Sequence, residues 1–238
     1  MNSSGGFMNP RRSTNLDMLA VVAKGLKGLK ERVVFVGGAT IELYVVSSTP
    51  EGRATDDVDC VVEMASRVKY YELEEELRKL KFTHPMAERA PICRWEYSGI
   101  PVDVMPTEGK VLGFTNRWYG DGMANTRTAE LPDGQKIEIF SVPYLLASKI
   151  EAFQDRGHGD FLGSRDMEDI ITVLDGCPSV KEDIGKAPKP VHDFLIQRFK
   201  EFLDNSSFID SLQGHIEALQ PRTGRGEKLL ALLRDLAA

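Results

Sequence analysis

The sequence has few cysteines and no long hydrophobic run. Its 238 residues contain three cysteines, which lie far apart and in unrelated contexts: Cys60, Cys93 and Cys177. This spacing predicts neither a disulfide framework nor a zinc site, and it favours a reducing compartment. No apolar stretch approaches the roughly 20 residues of a membrane-spanning helix, and residues 1–12 are polar and rich in Gly and Ser rather than typical of a signal peptide. We therefore expect a cytoplasmic protein.

The sequence also lacks an excess of positive charge. It has 30 lysines and arginines against 36 aspartates and glutamates, which gives a formal net charge of -6. That balance is not typical of a nonspecific nucleic-acid binder, so any contact with RNA must come from a local basic patch. The candidates for such a patch are Arg11, Arg12, Arg117, Arg127, Arg222, Arg225 and Lys228. The four histidines show no metal-ligand spacing. Hydrophobic residues make up 42% of the chain, which is enough for the core of one large domain or two smaller ones.

The most informative stretch begins with the apolar run Val33–Val36, which has the length and β-branched content of a buried strand. Gly37 and Gly38 interrupt it, and the following residues from Ala39 to Val46 predict a short helix. The amide groups at the start of such a helix face the Gly-Gly turn, a geometry that receives phosphate oxygens. Three residues of this turn are therefore candidate nucleotide contacts: Gly37, Gly38 and Thr40.

A second extended run follows from Thr55 to Val62. Because side chains alternate along a strand, Thr55, Asp57 and Asp59 lie on one face. Two carboxylates side by side repel each other, so the pattern indicates a compensating cation. Mg²⁺ is the natural candidate, since it prefers carboxylate oxygens and completes its shell with water and substrate phosphates.

Further along the chain, residues 92–97 and 100–105 alternate around Ser98-Gly99, which predicts a hairpin. Asp103 lies in the second strand of this hairpin. The residues alone are equally compatible with an exposed strand face and with a functional carboxylate. Trp118 and Tyr119 belong to an irregular stretch at residues 107–125, where we favour a hydrophobic plug over base stacking.

A helix is predicted from Pro143 to Arg156, ended by Gly157. Lys149 and Arg156 lie on one side of it, seven residues apart. A glycine-rich loop then leads to a second helix, in which Asp166 and Asp169 are one turn apart.

These motifs together resemble a known family. The strand, the Gly-Gly turn, the short helix and Asp57-Val58-Asp59 resemble the nucleotidyltransferase superfamily. Two blocks are similar to its AbiEii-type branch, the toxins of bacterial abortive-infection systems. They are Arg53-x-Thr55-x-Asp57-x-Asp59, and Lys149-x-x-Ala152-x-x-x-Arg156 followed by Asp166-x-x-Asp169.

The resemblance implies an α/β fold, with a mixed twisted sheet, flanking helices and a C-terminal helical half. It implies transfer of a nucleoside monophosphate from an NTP to an acceptor hydroxyl. Two Mg²⁺ ions, or Mn²⁺ in their place, would be held by Asp57, Asp59 and Asp103. The remaining residues take roles at the nucleotide: Arg53, Thr55, Lys149 and Arg156 as contacts, and Asp166 orienting Lys149 or a metal-bound water.

The acceptor is not fixed by these residues. The AbiEii-type resemblance implies tRNA or another RNA and a cognate antitoxin protein. Two alternatives stay open. One is an enzyme of the aminoglycoside-modifying kind that acts on a small molecule, and the other is a noncatalytic module that binds nucleotide or a partner protein.

The predicted organisation is a loose arm at residues 1–12, a catalytic core at 13–142 and a helical domain at 143–238 that closes the cleft. The other patterns predict a helix at residues 16–31 with Ser13-Thr14-Asn15 as its N-cap, and a helix at 67–81. They also predict a hairpin at 126–140 and C-terminal helices at 191–204, 208–219 and 226–236. Residues 178–190 and 220–225 are expected to be linkers.

Overall fold

The computed structural model describes residues 15–46, 53–64, 66–86, 90–113, 115–217 and 224–238. These residues form a six-stranded mixed sheet surrounded by helices, so the predicted α/β fold class is confirmed. The strands are β1 (Val33–Val36), β2 (Val58–Val62), β3 (Arg94–Tyr97), β4 (Ile100–Pro106), β5 (Thr126–Glu130) and β6 (Lys136–Phe140). Their order across the sheet is β3-β4-β2-β1-β6-β5.

Strand pairing brings three distant segments together at the centre of the sheet. β1 pairs with β2 in antiparallel fashion, whereas β2 pairs with β4 and β1 with β6 in parallel fashion. β3 and β4 form a hairpin whose turn residues Ser98 and Gly99 have φ angles of 52° and 77°. Two successive positive φ angles are typical of a two-residue hairpin turn, which fixes the register of both strands.

The first two helices are α1 (Asn15–Leu26) and α2 (Arg67–Lys79). α1 is shorter than predicted, because the chain turns after Leu26 at a segment that contains Gly28. The helix predicted after the Gly-Gly turn is a 3₁₀ helix, Gly38–Leu43. The irregular stretch contains two short helices, α3 (Gly109–Leu112) and α4 (Tyr119–Ala124).

The C-terminal part is helical, as predicted. It contains α5 (Val142–Arg156), α6 (Arg165–Gly176), α7 (Val180–Gly185), α8 (Lys189–Leu203), α9 (Ser206–Glu217) and α10 (Arg225–Leu236). The expectation of a linker throughout residues 178–190 was wrong, because α7 lies within it. Val180 and Ile184 are one turn apart and both buried, which gives α7 an apolar side to pack. Part of the other predicted linker, the N-terminal arm and the Ser13-Thr14 cap lie outside the described residues.

α5 connects the sheet to the C-terminal helices. Ten of its 15 residues are buried, including Leu146 and Ile150. An aromatic cluster packs behind it, with ring centroids 4.9–6.4 Å apart, and consists of Phe153, Phe161, Phe202 and Phe208. The buried residues before and after residue 142 form one continuous core. The domain boundary at residue 142 stays a prediction. Among the described helices, none combines the length and hydrophobicity that a membrane span requires.

Candidate active site

The structure brings most of the predicted site residues to one open cavity of about 550 Å³. The cavity lies between the sheet strands β2, β3 and β4 and the helices α5 and α6. The predicted residues that line it are Gly38, Arg53, Thr55, Asp57, Asp59, Asp103, Lys149, Arg156 and Asp166. Residues about a hundred positions apart in sequence therefore share one cavity.

Strand register places the carboxylates on the wall formed by the sheet. Asp59 in β2 is the direct cross-strand partner of Asp103 in β4, and cross-strand partners share a face of the sheet. Asp57 is two residues before Asp59 and so lies on the same face. Its Oδ1 accepts a hydrogen bond of 3.0 Å from the hydroxyl group of Thr55.

Asp59 is the carboxylate whose acidity is most disturbed. Its withdrawal from water, followed by repulsion from Asp57 and Asp103, raises its pKa from 3.8 to about 7. Lys149 acts in the opposite direction without cancelling these effects. The wall thus holds negative charge that the neighbouring cations do not fully balance.

Arg94 is a functional candidate that our sequence reasoning missed. It is the cross-strand partner of Asp103 in the β3–β4 hairpin. Its Nε and Nη2 donate to the two oxygens of Asp103 at 2.7 and 2.6 Å, and Nη2 also donates to Oδ2 of Asp57 at 2.9 Å. The hydrogen bonds to Asp103 raise the pKa of Arg94 above its ordinary value, so the guanidinium stays charged.

The donor set of this wall fits a divalent cation in chemical type, since carboxylate oxygens are what Mg²⁺ and Mn²⁺ prefer. Within the described part of the chain, however, no three histidine, cysteine, aspartate or glutamate side chains are arranged as a ready-made metal site. The guanidinium of Arg94 lies between Asp57 and Asp103. Withdrawal of that guanidinium would free three carboxylate oxygens of Asp57 and Asp103, which are donors of the type that the ion prefers.

Lys149 forms the centre of the opposite wall. It is buried, and its Nζ lies 2.6 Å from Asp169 and 3.2 Å from Asp166. Burial alone would lower the pKa of Lys149, but Asp169 and Asp166 outweigh this effect and raise it. Asp166 also accepts hydrogen bonds from Arg156 at 2.8 and 3.0 Å. Although burial acts to raise the pKa of Asp166, these bonds and the charge of Lys149 lower it, so the carboxylate stays ionised.

Arg53 joins the same wall through Asp169, at 3.2 Å. Its Nη1 is buried and has no hydrogen-bond partner among the described residues. The segment is held by Asn15 of α1, which donates to the carbonyl of Arg53 at 3.0 Å and accepts from the amide of Thr55 at 3.1 Å. Arg53 lines the cavity, and its guanidinium group is of the chemical type that binds phosphate oxygens. The sequence indicated Asn15 only as a helix cap and Asp169 only as a motif position. Their contacts with Arg53, Thr55 and Lys149 could not be predicted, because they depend on how the helices pack.

The two glycines give space to neighbouring side chains. Gly37 has a φ of 75°, and a Cβ atom there would lie 2.0 Å from Oδ2 of Asp59. A Cβ atom on Gly38 would lie 2.7 Å from Nη2 of Arg53. Thr40 is fully buried and its hydroxyl donates to the carbonyl of Gly37 at 2.9 Å. Thr40 therefore stabilises the Gly-Gly turn from the core side. Because the residue is buried, the structure gives no support to its predicted contact with nucleotide.

A smaller cavity of about 240 Å³ adjoins the first at Asp59, Asp103 and Lys149. Gly37 and Tyr119 also line it, and the Tyr119 hydroxyl donates to the sulfur of Met105 at 3.4 Å. Trp118, in contrast, is buried against Tyr144 and Phe194, so the plug interpretation fits Trp118. The third aromatic residue of this stretch, Phe114, lies outside the described residues.

Several arginines considered for contact with RNA are engaged within the protein. Arg117 pairs with Glu151, Arg127 lies over the ring of Tyr44, and Arg225 pairs with Asp175. Arg11, Arg12 and Arg222 lie outside the described residues. The candidate arginines that the structure describes are therefore paired or stacked within the protein.

Comparison with known proteins bears on the fold. No protein-family model matches the sequence, and neither does any curated protein. The structure is similar to the crystal structure of an antigenic nucleotidyltransferase-like protein from Paracoccidioides brasiliensis, with a TM-score of 0.52 and 19% sequence identity, over 83% of this chain and 93% of that chain. The chain therefore has a nucleotidyltransferase-like fold.

A second similar structure is the solution structure of the antibiotic-resistance factor ANT(2'')-Ia. It has a TM-score of 0.49 and 13% identity, over 79% of this chain and 94% of that chain. This likeness is too weak to support an inference about substrate.

Proposed function

We propose that the protein is a metal-dependent nucleotidyltransferase. It transfers a nucleoside monophosphate from an NTP to an acceptor hydroxyl and releases pyrophosphate. The observation that carries the proposal is the opposition of two charged walls across one cavity. Asp57, Asp59 and Asp103 form the acidic wall, and Lys149 and Arg53 belong to the cationic one.

The charges of the two walls match a metal–nucleotide complex. On the helical wall, three cations face two carboxylates: Lys149, Arg156 and Arg53 against Asp166 and Asp169. The excess positive charge would offset part of the negative charge of a triphosphate, and charge neutralisation is much of what catalysis at phosphorus requires. Asp166 and Asp169 hold Lys149 in position through its two ion pairs.

Asp57, Asp59 and Asp103 would hold Mg²⁺ or Mn²⁺ on the sheet wall. When bound, such an ion polarises the transferring phosphoryl group and activates the acceptor hydroxyl. In the reaction, the acceptor hydroxyl would lose its proton to solvent and its oxygen would form a bond with the α-phosphorus. The bond between that phosphorus and the bridging oxygen of pyrophosphate would break, and pyrophosphate would leave. Lys149 and Arg53 stabilise the negative charge that develops on the pyrophosphate.

RNA, with tRNA as the first choice, is the acceptor we propose, in an AbiEii-type toxin that acts in the cytoplasm and is neutralised by an antitoxin. Support comes from the second motif block, whose residues Lys149, Arg156, Asp166 and Asp169 form one connected set of ion pairs at the cavity. The toxin role predicts that expression of the chain arrests bacterial growth and that Asp59→Asn relieves the arrest.

A small-molecule acceptor is the second candidate, and two observations favour it. The chain carries a net charge of -6, and Arg117, Arg127 and Arg225 are already engaged within the protein. A small hydroxylated acceptor would need no basic surface beyond the cavity.

The test offers each NTP, labelled at the α-phosphate, with Mg²⁺ to total RNA, tRNA and small hydroxylated amines such as aminoglycosides. We expect label in one acceptor, release of pyrophosphate and loss of both with Asp59→Asn. RNA transfer should fall steeply with added salt, because phosphate contacts release counterions, whereas transfer to a small acceptor should change little. NTP binding without transfer to any acceptor would overturn the proposal in favour of a noncatalytic module.

A further inference from the structure

We infer that Arg94 is a built-in counter-ion of the carboxylate wall, which a divalent cation must displace in order to bind. The inference rests on the proposed metal-dependent function and deepens it by naming a residue of this chain that competes with the ion. Arg94 would thus set the metal concentration at which the site fills.

The first step is the position of Arg94. Asp59, Asp103 and Arg94 form one row across the adjacent strands β2, β4 and β3, because each is the direct cross-strand partner of the next. The guanidinium therefore lies on the same face of the sheet as the carboxylates. Trp95, the next residue in β3, points to the opposite face and is fully buried in the core.

The second step is the occupancy of the carboxylate oxygens. Both oxygens of Asp103 accept hydrogen bonds from Arg94. On Asp57, Oδ2 accepts from Arg94 and Oδ1 accepts from the hydroxyl group of Thr55. All four oxygens of these two residues thus accept hydrogen bonds from the protein, and a cation gains three of them as ligands only if Arg94 withdraws.

The third step is that Arg94 is free to withdraw. β3 is the edge strand of the sheet, and the side chain of Arg94 is 29% exposed, compared with 8% for Lys149 on the opposite wall. Rotation of its side-chain torsions would carry the guanidinium toward solvent while the strand stays paired. Lys149 has no such route, because its ammonium group is enclosed by Asp166 and Asp169.

Together these steps define a competition. Metal binds the fraction of molecules in which Arg94 has left the carboxylates, so the measured dissociation constant equals the intrinsic one divided by that fraction. Hydrogen bonds to charged groups typically contribute about 1.5–3 kcal/mol, which corresponds to a factor of about 10 to 100 in affinity. Removal of Arg94 should therefore tighten metal binding by about that factor.

The experiment measures Mn²⁺ affinity of the full chain without nucleotide, by electron paramagnetic resonance of the free ion and by calorimetry. We expect Arg94→Gln to lower the dissociation constant about 10- to 100-fold. Arg94→Lys keeps the charge but loses the two-pronged contact with Asp103, so its dissociation constant should lie between those of Arg94→Gln and the wild type. An unchanged or weaker affinity in Arg94→Gln would overturn the inference.

A matched control is Arg78→Gln. Arg78 also pairs with two carboxylates, those of Glu74 and Glu75, but on the surface of α2 and outside both cavities. Its replacement should leave Mn²⁺ affinity unchanged. Circular dichroism and urea unfolding of each variant establish that it is folded, and if Arg94→Gln does not fold, a wild-type affinity in Arg94→Lys would refute the competition.

The design separates failure of this inference from failure of the proposed function. If the wild type transfers nucleotide and Asp59→Asn abolishes Mn²⁺ binding, but Arg94→Gln binds no more tightly, Arg94 is not a competitor and the function stands. If the wild type neither binds Mn²⁺ nor transfers nucleotide, the proposed function falls and this inference with it.

Discussion

Replacement of Asp59 by asparagine is the sharpest test of the acidic wall in the metal-free protein. The folded environment raises the pKa of Asp59 from 3.8 to about 7, through withdrawal from water and repulsion by Asp57. The folded protein therefore holds the Asp59 proton more tightly than the unfolded chain does. The contribution of Asp59 to the free energy of unfolding is therefore fully present at low pH, and it is lost as the pH rises from about 4 to about 7.

The size of the effect follows from the two pKa values. A difference of about three pH units corresponds to about 4 kcal/mol at 1.36 kcal/mol per unit, and this is the upper limit of the cost of ionising Asp59. Asparagine has nearly the same shape and cannot ionise, so the variant avoids this cost. Asp57 and Asp103 bear part of the same repulsion, so the full cost does not fall on Asp59. We therefore expect Asp59→Asn to raise the free energy of unfolding by about 2 kcal/mol at pH 8.

The assay is urea unfolding of the wild type and Asp59→Asn between pH 4 and pH 8, with a chelator present. The difference in unfolding free energy should grow with pH and favour the variant. Added Mn²⁺ should then stabilise the wild type and leave Asp59→Asn unchanged, since ligand that binds only the folded state raises its stability. A variant that is less stable at pH 8, or a difference that does not depend on pH, would refute the reasoning.

Three further predictions concern the turn and the opposite wall. Lys149→Met should destabilise the protein by about 1.5–3 kcal/mol in urea unfolding, because Asp166 and Asp169 each lose an ion pair and keep only their arginine partners. Gly37→Ala should abolish transfer and should destabilise the protein more than Gly134→Ala does. Both glycines have positive φ, but only at Gly37 would a Cβ atom meet Asp59. Equal losses of stability in the two variants would contradict this. Arg53→Gln should raise the KM for NTP about tenfold, as expected for loss of a charged phosphate contact, whereas Arg32→Gln, remote from the cavity, should not.

The elements that could be predicted from the sequence are those with a local signal. The β3–β4 hairpin follows from alternation and a two-residue turn, and its strands begin and end within two residues of the prediction. α5 begins one residue before its proline and ends at Arg156, as expected for a helix with Pro in its first turn and Gly after its end. α7 was missed because it is short and its apolar side consists of only a few residues.

The pairing that builds the acidic wall has no such local signal. β2 and β4 pair in parallel although more than 35 residues separate them, and alternation along each strand does not say which strands are neighbours. Asp103 was therefore ambiguous from the residues alone and became a site residue through the family resemblance. The contacts of Asn15 and Asp169 depend in the same way on how α1 and α6 pack.

Arg94 could have been found by counting. A two-residue turn at Ser98-Gly99 makes Tyr97 the partner of Ile100, and three further steps along both strands place Arg94 opposite Asp103. The hairpin prediction thus contained the pair, but an arginine in an alternating strand is usually read as a solvent-facing residue. The carboxylate of Asp103 directly across the hairpin is what indicates that Arg94 is paired and functional.

The position of Arg94 also explains how the acidic wall persists without a metal ion. Three carboxylates on one sheet face would repel each other strongly, and the guanidinium lowers that cost by pairing with Asp57 and Asp103. Its hydrogen bonds to this wall go to Asp57 and Asp103, and it is Asp59 whose pKa is raised to about 7. The arginine therefore supplies one positive charge where a divalent ion would supply two. If the acidic wall binds a metal ion as proposed, this contact would favour folding before the ion arrives and would weaken metal binding, because the ion would have to break it.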